Sequence, residues 1–168
     1  MSNNLANAFI GELERESAST ERLLERVPTD KPDWRPHPRS TTLSALAWHI
    51  ANIPRRISGL ISAGSFDVLK ARPGAAAEHH DYVSELKSSV EEAKRVLSGL
   101  DDAAMMAKSF RFMRGEDTIR ELPVLGAIRS IMLNHTYHHR GQLTVYLRLL
   151  DVPVPAMYGT SADENPFA

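Results

Sequence analysis

The stretch "LNHTYHHRGQL", Leu133 to Leu143, sets three histidines, His135, His138 and His139, within five positions of an apolar helical pattern. The whole chain has seven histidines, so this is a local concentration. On a helix turning about 100° per residue, with Ile128 at zero, His135 falls at about −20° and His139 at about 20°. Met132 at about 40° and Tyr146 at about 0° share that stripe, while His138 falls at about −80°, on its flank. Side chains four residues apart have Cβ atoms about 5–6 Å apart, which suits two imidazoles holding one ion. The pair His135–His138 also lies within reach, though less centrally. Each buried imidazole without a partner costs about 1–3 kcal/mol, and one metal ion satisfies two of them. The other reading is that they are core histidines bonded to one another or to carbonyls.

A third ligand must come from another element. His49, in "LAWHIA", is the candidate. It sits at about −100° from Ile50, on the flank of a broad inward arc with Leu46, Ile53 and Ile57. Three neutral imidazoles leave a coordination position open, the pattern of a catalytic rather than a structural metal. Such an ion lowers the pKa of a bound water, thiol or alcohol and polarises a substrate oxygen. A carbonyl partner is the alternative for His49.

Other residues enter with less chemistry. Glu16 lies at about −20° from Phe9, on the apolar face of the first helix. It could bond a ligand imidazole or act as a base; reaching an arginine or solvent is the plainer reading. Gly141 costs a helix about 1 kcal/mol relative to alanine, which suggests close approach by a backbone or ligand. Arg140 projects away from the central stripe, towards solvent, an ion pair or an intersubunit contact. Trp34 and His37, held between Pro32, Pro36 and Pro38, could line the mouth of the site, or Trp34 could plug the end of the fold.

Four long apolar periodicities must position these groups. The first runs from about Leu5 to Val27, with Leu5, Phe9, Leu13, Leu23 and Val27 near one face. The second begins near Ser40–Thr42, residues suited to capping, and carries Leu43, Leu46, Ile50, Ile53, Ile57 and Ile61, with Pro54 inside it as a source of kinking. The third covers about Ala76 to Leu100, and the fourth starts near Pro123 and runs to about Leu150. "KSFRFMRGEDTIREL" alternates and carries Arg-Gly, which suggests a short hairpin excursion. The tail from Asp151, with prolines at 153, 155 and 166, reads as extended chain packed on the surface. The expected fold is all-α, a four-helix bundle with long connections and an extended C-terminal tail, in a single domain over 1–168.

Composition narrows the function. The chain has 168 residues, 42% hydrophobic, enough for a substantial core. A net charge of −1 gives no electrostatic reason to expect nucleic acid or an anionic membrane as partner. No apolar run approaches the roughly 20 residues that span a bilayer, and the first residues do not read as a secretory signal, so a cytoplasmic location is expected. There is no cysteine, which removes disulfides, Cys-ligated metals and a cysteine nucleophile. Thiol chemistry would need a thiol brought in as a substrate.

"HTYHHRGQL", the upstream "WRPHPRSTTLSALAWHIA" and the tail "LLDVPVPAMYGTSADE" together resemble the DinB/YfiT-like family of metal-dependent proteins. The resemblance spans about Trp34 to Glu164. It implies a four-helix bundle, often a homodimer, with a three-histidine site for a divalent cation such as zinc or nickel. Matched residue by residue, the ligands it implies are His49, His135 and His139, and His138 is not among them. It also implies a metal-dependent transferase or hydrolase that activates a low-molecular-weight cellular thiol, or water, for a small-molecule substrate. The alternative is a non-catalytic, stress-related metal- or ligand-binding protein. No residue beyond the three histidines takes an assigned role.

Overall fold

The computed structural model describes residues 3–70 and 81–168. Its elements, in chain order, are α1 (Asn4–Leu24), α2 (Leu43–Ala63), β1 (Ser65–Asp67), a single helical turn (Val68–Lys70), α3 (Tyr82–Ser98), α4 (Asp102–Ala107), β2 (Ser109–Arg114) and β3 (Asp117–Pro123). The last helical run comprises α5 (Val124–Ala127), a π-helical stretch (Ile128–Leu133) and α6 (Asn134–Leu149). The protein is thus mostly helical with a small three-stranded sheet. The all-α expectation lacked that sheet. The part of the third expected helix before Asp81 lies outside the described residues.

The long helices follow their apolar stripes. Phe9, Leu13, Leu23 and Val27 are buried from the first segment, and Leu43, Leu46, Ile50, Ile53 and Ile61 from the second. On α3 the buried positions are Leu86, Val90, Ala93 and Leu97. One continuous apolar cluster joins them to Ile128, Met132, Leu133, Leu143 and Leu147 of the last run. Thr42 caps α2, its hydroxyl accepting from the Ala45 backbone N–H at 3.3 Å, and Gly64 closes it in the left-handed region at φ 76°. Pro54 sits inside α2, and just after it the Arg55 N–H turns to the buried Ser89 Oγ on α3, at 2.9 Å. A helix-breaking residue has become a link between two helices.

The first helix has no side-chain cap of its own. Its opening N–H groups are taken from a distance: Asp102 accepts from Leu5 at 2.9 Å and from Asn4 at 3.2 Å. A carboxylate there satisfies orphan donors and sits at the positive end of the helix dipole.

The suggested hairpin is present. β2 and β3 pair antiparallel around Gly115, whose φ of 62° suits a residue without a side chain. β1 adds to the other edge of β2 in parallel, with Phe66 opposite Phe112. The tail is extended, with Val154 and Ala156 buried. Asp163 accepts from the Val154 N–H and pairs with Arg148, while Glu164 accepts from Ala156 and pairs with Arg22 and Arg26. Trp34 packs edge-on to Tyr146 with ring centroids 5.5 Å apart, which makes it a plug rather than a wall of the site. His37 is exposed and accepts from the Arg39 N–H.

The buried ionic element is Arg140, 2% exposed. It bonds the Glu16 carboxylate at 2.7 Å, the Glu16 carbonyl at 3.0 Å and Thr20 Oγ1 at 3.2 Å, all on α1, and the Tyr158 hydroxyl in the tail. Arg140 therefore points inward, against the expectation that it faces away. Glu16 is its partner rather than a group at the histidines.

Two stability predictions follow from these partners. Asp102→Ala should cost about 1 kcal/mol, the usual worth of a helix N-cap, in urea unfolding. Glu16→Ala should cost roughly 3 kcal/mol, because it leaves a buried guanidinium without its counter-charge.

Candidate metal centre

The histidines are placed by two helices. His49 comes from the middle of α2, and His135 and His139 from the first two turns of α6, immediately after the π-helical stretch. The core-facing stripe of α6 is Thr136, Arg140, Leu143 and Leu147, with Tyr146 beside it. His135 and His139 stand one position away, half-buried, on the face turned to α2. The expectation that they sit at the centre of the buried stripe is therefore off by one residue. The extra residue per turn in the π-helical stretch shifts the phase between Ile128 and His135, so an angle carried across it at 100° per residue misleads.

The structure brings His49, His135 and His139 together. One ring nitrogen from each lies within 4.8 Å of the other two. His135 Nε2 stands 2.8 Å from His139 Nε2 and 3.3 Å from His49 Nε2. Two nitrogens about 2.0–2.1 Å from one tetrahedral ion lie about 3.3 Å apart, so the spacing fits a shared cation. His138 is exposed and meets only the His139 ring edge-on, at 4.9 Å.

The outer nitrogens decide which tautomers are present. His139 Nδ1 lies 2.6 Å from Gln142 Oε1, so it carries the proton and donates. The His135 ring bonds the Ile131 backbone, an interaction that favours its N–H form on that side. Both assignments leave Nε2 with a bare lone pair. With these tautomers the two Nε2 lone pairs face each other across 2.8 Å, an arrangement that a shared cation would satisfy. Burial works against a proton taking that place. It lowers the pKa of His49 to about 4, helped by the nearby His139, His135 and Arg56. Burial likewise lowers His135, with His139 adding to it, and lowers His139 against the opposing pull of Gln142. At neutral pH the three rings are neutral, the form in which an imidazole can take up a metal ion.

Beside them is a cavity of about 240 Å³. His49 and His135 form its polar end, and Ile53, Ile57, Leu60, Phe66, Phe112 and Ile131 its apolar wall. Phe66 on β1 and Phe112 on β2 meet edge-to-face at 6.2 Å. Arg56 stands at the rim. A smaller cavity of about 120 Å³ opens on the other side of His49 and also touches Arg56. Sequence reasoning missed Arg56 and the phenylalanine wall. Arg56 was within reach of it, since it lies seven residues after His49 and so on the same helical face. Gly141 is not a point of close approach: a Cβ added there would meet nothing within 4 Å.

Known proteins share this fold. No curated protein sequence matches the chain. A crystal structure of a DinB-like protein from Bacillus subtilis (YjoA) superposes with a TM-score of 0.69 at 18% identity, covering 89% of this chain and 96% of that one. A DinB-like protein from Bacillus cereus ATCC 10987 does so with a TM-score of 0.68 at 20% identity, covering 90% of this chain and 97% of that one. At these identities the likeness is one of fold. The sequence itself supplies the family, since residues 12–143 match the profile of the DinB superfamily and that span takes in all three histidines. The chain belongs to the DinB superfamily.

Proposed function

We propose that this protein is a divalent-metal enzyme that activates a low-molecular-weight thiol, or water, towards an electrophile lodged beside the three histidines. The observation that carries the reading is the pair of bare nitrogens facing each other across 2.8 Å. A cation placed between them satisfies both, and the burial that lowers both pKa values disfavours an added proton in that role. His49, His135 and His139 would hold the ion, zinc or nickel by the nature of an all-imidazole set. When bound, such an ion supplies Lewis acidity that keeps a thiol or water deprotonated at neutral pH. The chain does the rest. Gln142 and the Ile131 backbone fix which ring nitrogens face inward. The apolar wall excludes bulk water, and no cysteine competes for the ion or the electrophile.

A non-catalytic binding protein would be favoured by a side chain closing the fourth position. Glu16 was the candidate, and it is committed to Arg140 and Tyr158. Among the described residues no carboxylate joins the histidine group, and a cavity opens there instead. That favours the enzyme.

Family membership supports reading α1, α2, α3 and the α5–α6 run as the four-helix bundle of a single domain over 1–168. It also supports a cytoplasmic homodimer, for which the exposed Val145 and Leu149 of α6 offer an apolar contact. Among the described residues no helix is long and apolar enough to cross a membrane, and the net charge of −1 favours small molecules over nucleic acid.

Protein purified without nickel resin should carry close to one divalent ion per chain by elemental analysis. His135→Ala should lose it and His138→Ala keep it; unchanged stoichiometry in His135→Ala would sink the proposal. The sign of the pH dependence also follows. Imidazoles whose folded pKa is lowered stabilise the fold fully above their unfolded value of about 6.5 and lose that contribution as pH falls towards the folded value. For His49 that value is about 4. The metal-free protein should therefore lose thermal stability between about pH 6.5 and about pH 4, more steeply than the variant His49→Gln. Added zinc should raise Tm at pH 7, with a gain that shrinks across the same window as protons compete for the rings.

A further inference from the structure

Helix α2 carries two adjacent arginines with opposite situations. Arg55 faces α3 and is fully engaged: Glu85 and Glu92 pair with it, and Ser88 accepts from it. Arg56 faces the cavity. Among the described residues no carboxylate pairs with it, and its guanidinium is exposed at the rim. An arginine with no carboxylate partner among the described residues, at the mouth of an apolar chamber, is suited to hold an anion.

The chamber limits what hangs from that anion. A cavity of about 150 Å³ holds a benzene, so the one beside Arg56 has room for roughly nine or ten non-hydrogen atoms. Its wall is aliphatic and aromatic, with Phe66 and Phe112 meeting edge-to-face along one side. Its other end is the histidine group, through His49 and His135. A molecule in the chamber thus meets a cation at the rim, an apolar wall along its length and the metal site at its far side.

We infer that Arg56 is a specificity-determining residue, and that the substrate held in this cavity is an amphipathic carboxylate: a compact aryl-alkyl or branched alkyl body with its acid group on Arg56. The inference rests on the metal-enzyme reading for the identity of the site, while the recognition itself comes from Arg56 and the apolar wall. The remainder of the molecule lies against the histidines, where an activated thiol or water would reach it. Arg56 positions the substrate and takes no part in bond making.

The test is calorimetric binding of 4-phenylbutyrate and its neutral counterpart 4-phenylbutanol to the full-length chain, zinc-loaded and zinc-free. The wild type should bind the acid at least tenfold more tightly than the alcohol in both states. Arg56→Met, which keeps the aliphatic stem and removes the charge, should bring the two affinities within about threefold while leaving zinc stoichiometry unchanged. Ile57→Trp, which fills the chamber, should weaken both ligands together. Equal affinity for acid and alcohol in the wild type overturns the inference, and so does a preference that survives in Arg56→Met. His135→Ala separates the two readings. If it still prefers the acid while zinc-free, the anion site stands whatever the outcome for the metal. A preference for the acid that appears only with zinc, and persists in Arg56→Met, would place the carboxylate on the ion and refute the role of Arg56.

Discussion

The rotation of α6 about its own axis decides whether this protein has a site at all, and Arg140 fixes that rotation. The residue is 2% exposed and is held by a carboxylate, a carbonyl and a hydroxyl of α1 together with a tail tyrosine. A guanidinium has a rigid fork of donors, so these partners constrain its orientation as well as its position. On a helix, one residue of rotation moves a side chain by about 100°. With Arg140 directed at α1, its neighbour His139 and the residue one turn earlier, His135, are directed at α2. The buried ion pair is better understood as a source of specificity than of net stability, since burying both charges carries its own desolvation cost.

The second requirement is an enclosing wall, and the sheet supplies it. A two-stranded hairpin is marginal alone, and here a third strand and packing against the helices support it. β1 follows directly from the end of α2, so Phe66 is delivered to the same side as His49 and Ile53. β2 brings Phe112 opposite it through the parallel register. Asp67 secures the corner: one of its carboxylate oxygens accepts from Leu69 and from Gly115 in the hairpin turn, bonds that hold its pKa below the usual carboxylate range. An excursion between helices thus becomes the face of a cavity.

Much of this was legible in the sequence, for identifiable reasons. The helices follow from 3.6-residue periodicity, and the hairpin from alternation around Arg-Gly. The histidine trio could be assembled because His135 and His139 stand four apart and His49 lies on a second inward-facing helix. β1 could not be read, because three residues carry too little pattern and its pairing is parallel and distant in sequence. For Arg140 the ion pair was among the sequence alternatives, but its burial could not be read for a related reason. Charged residues are outward by default, and the partner that reverses this sits on another helix more than a hundred residues away. The one-residue error in the phase of His135 and His139 has a local cause in the π-helical stretch, which a uniform step cannot represent. Gly141 carried an inference that the open space around it does not support.

The charge around the histidines connects the readings. Every ionisable group described at this end of the cavity is a neutral imidazole or a cationic arginine. Burial does most to lower the pKa of His49 and His135, and the charge of Arg56 adds least to it. The same charge would be repelled by the ion itself, and among the described residues no carboxylate joins the histidine group to offset either. In a chamber with apolar walls, uncompensated positive charge is expensive unless something negative arrives with the substrate. A thiolate and an organic acid are both anions, and two anions would balance a divalent ion more fully than water and a neutral ligand. Among the described residues that counter-charge is absent, and an anionic substrate of the kind inferred for Arg56 would supply it.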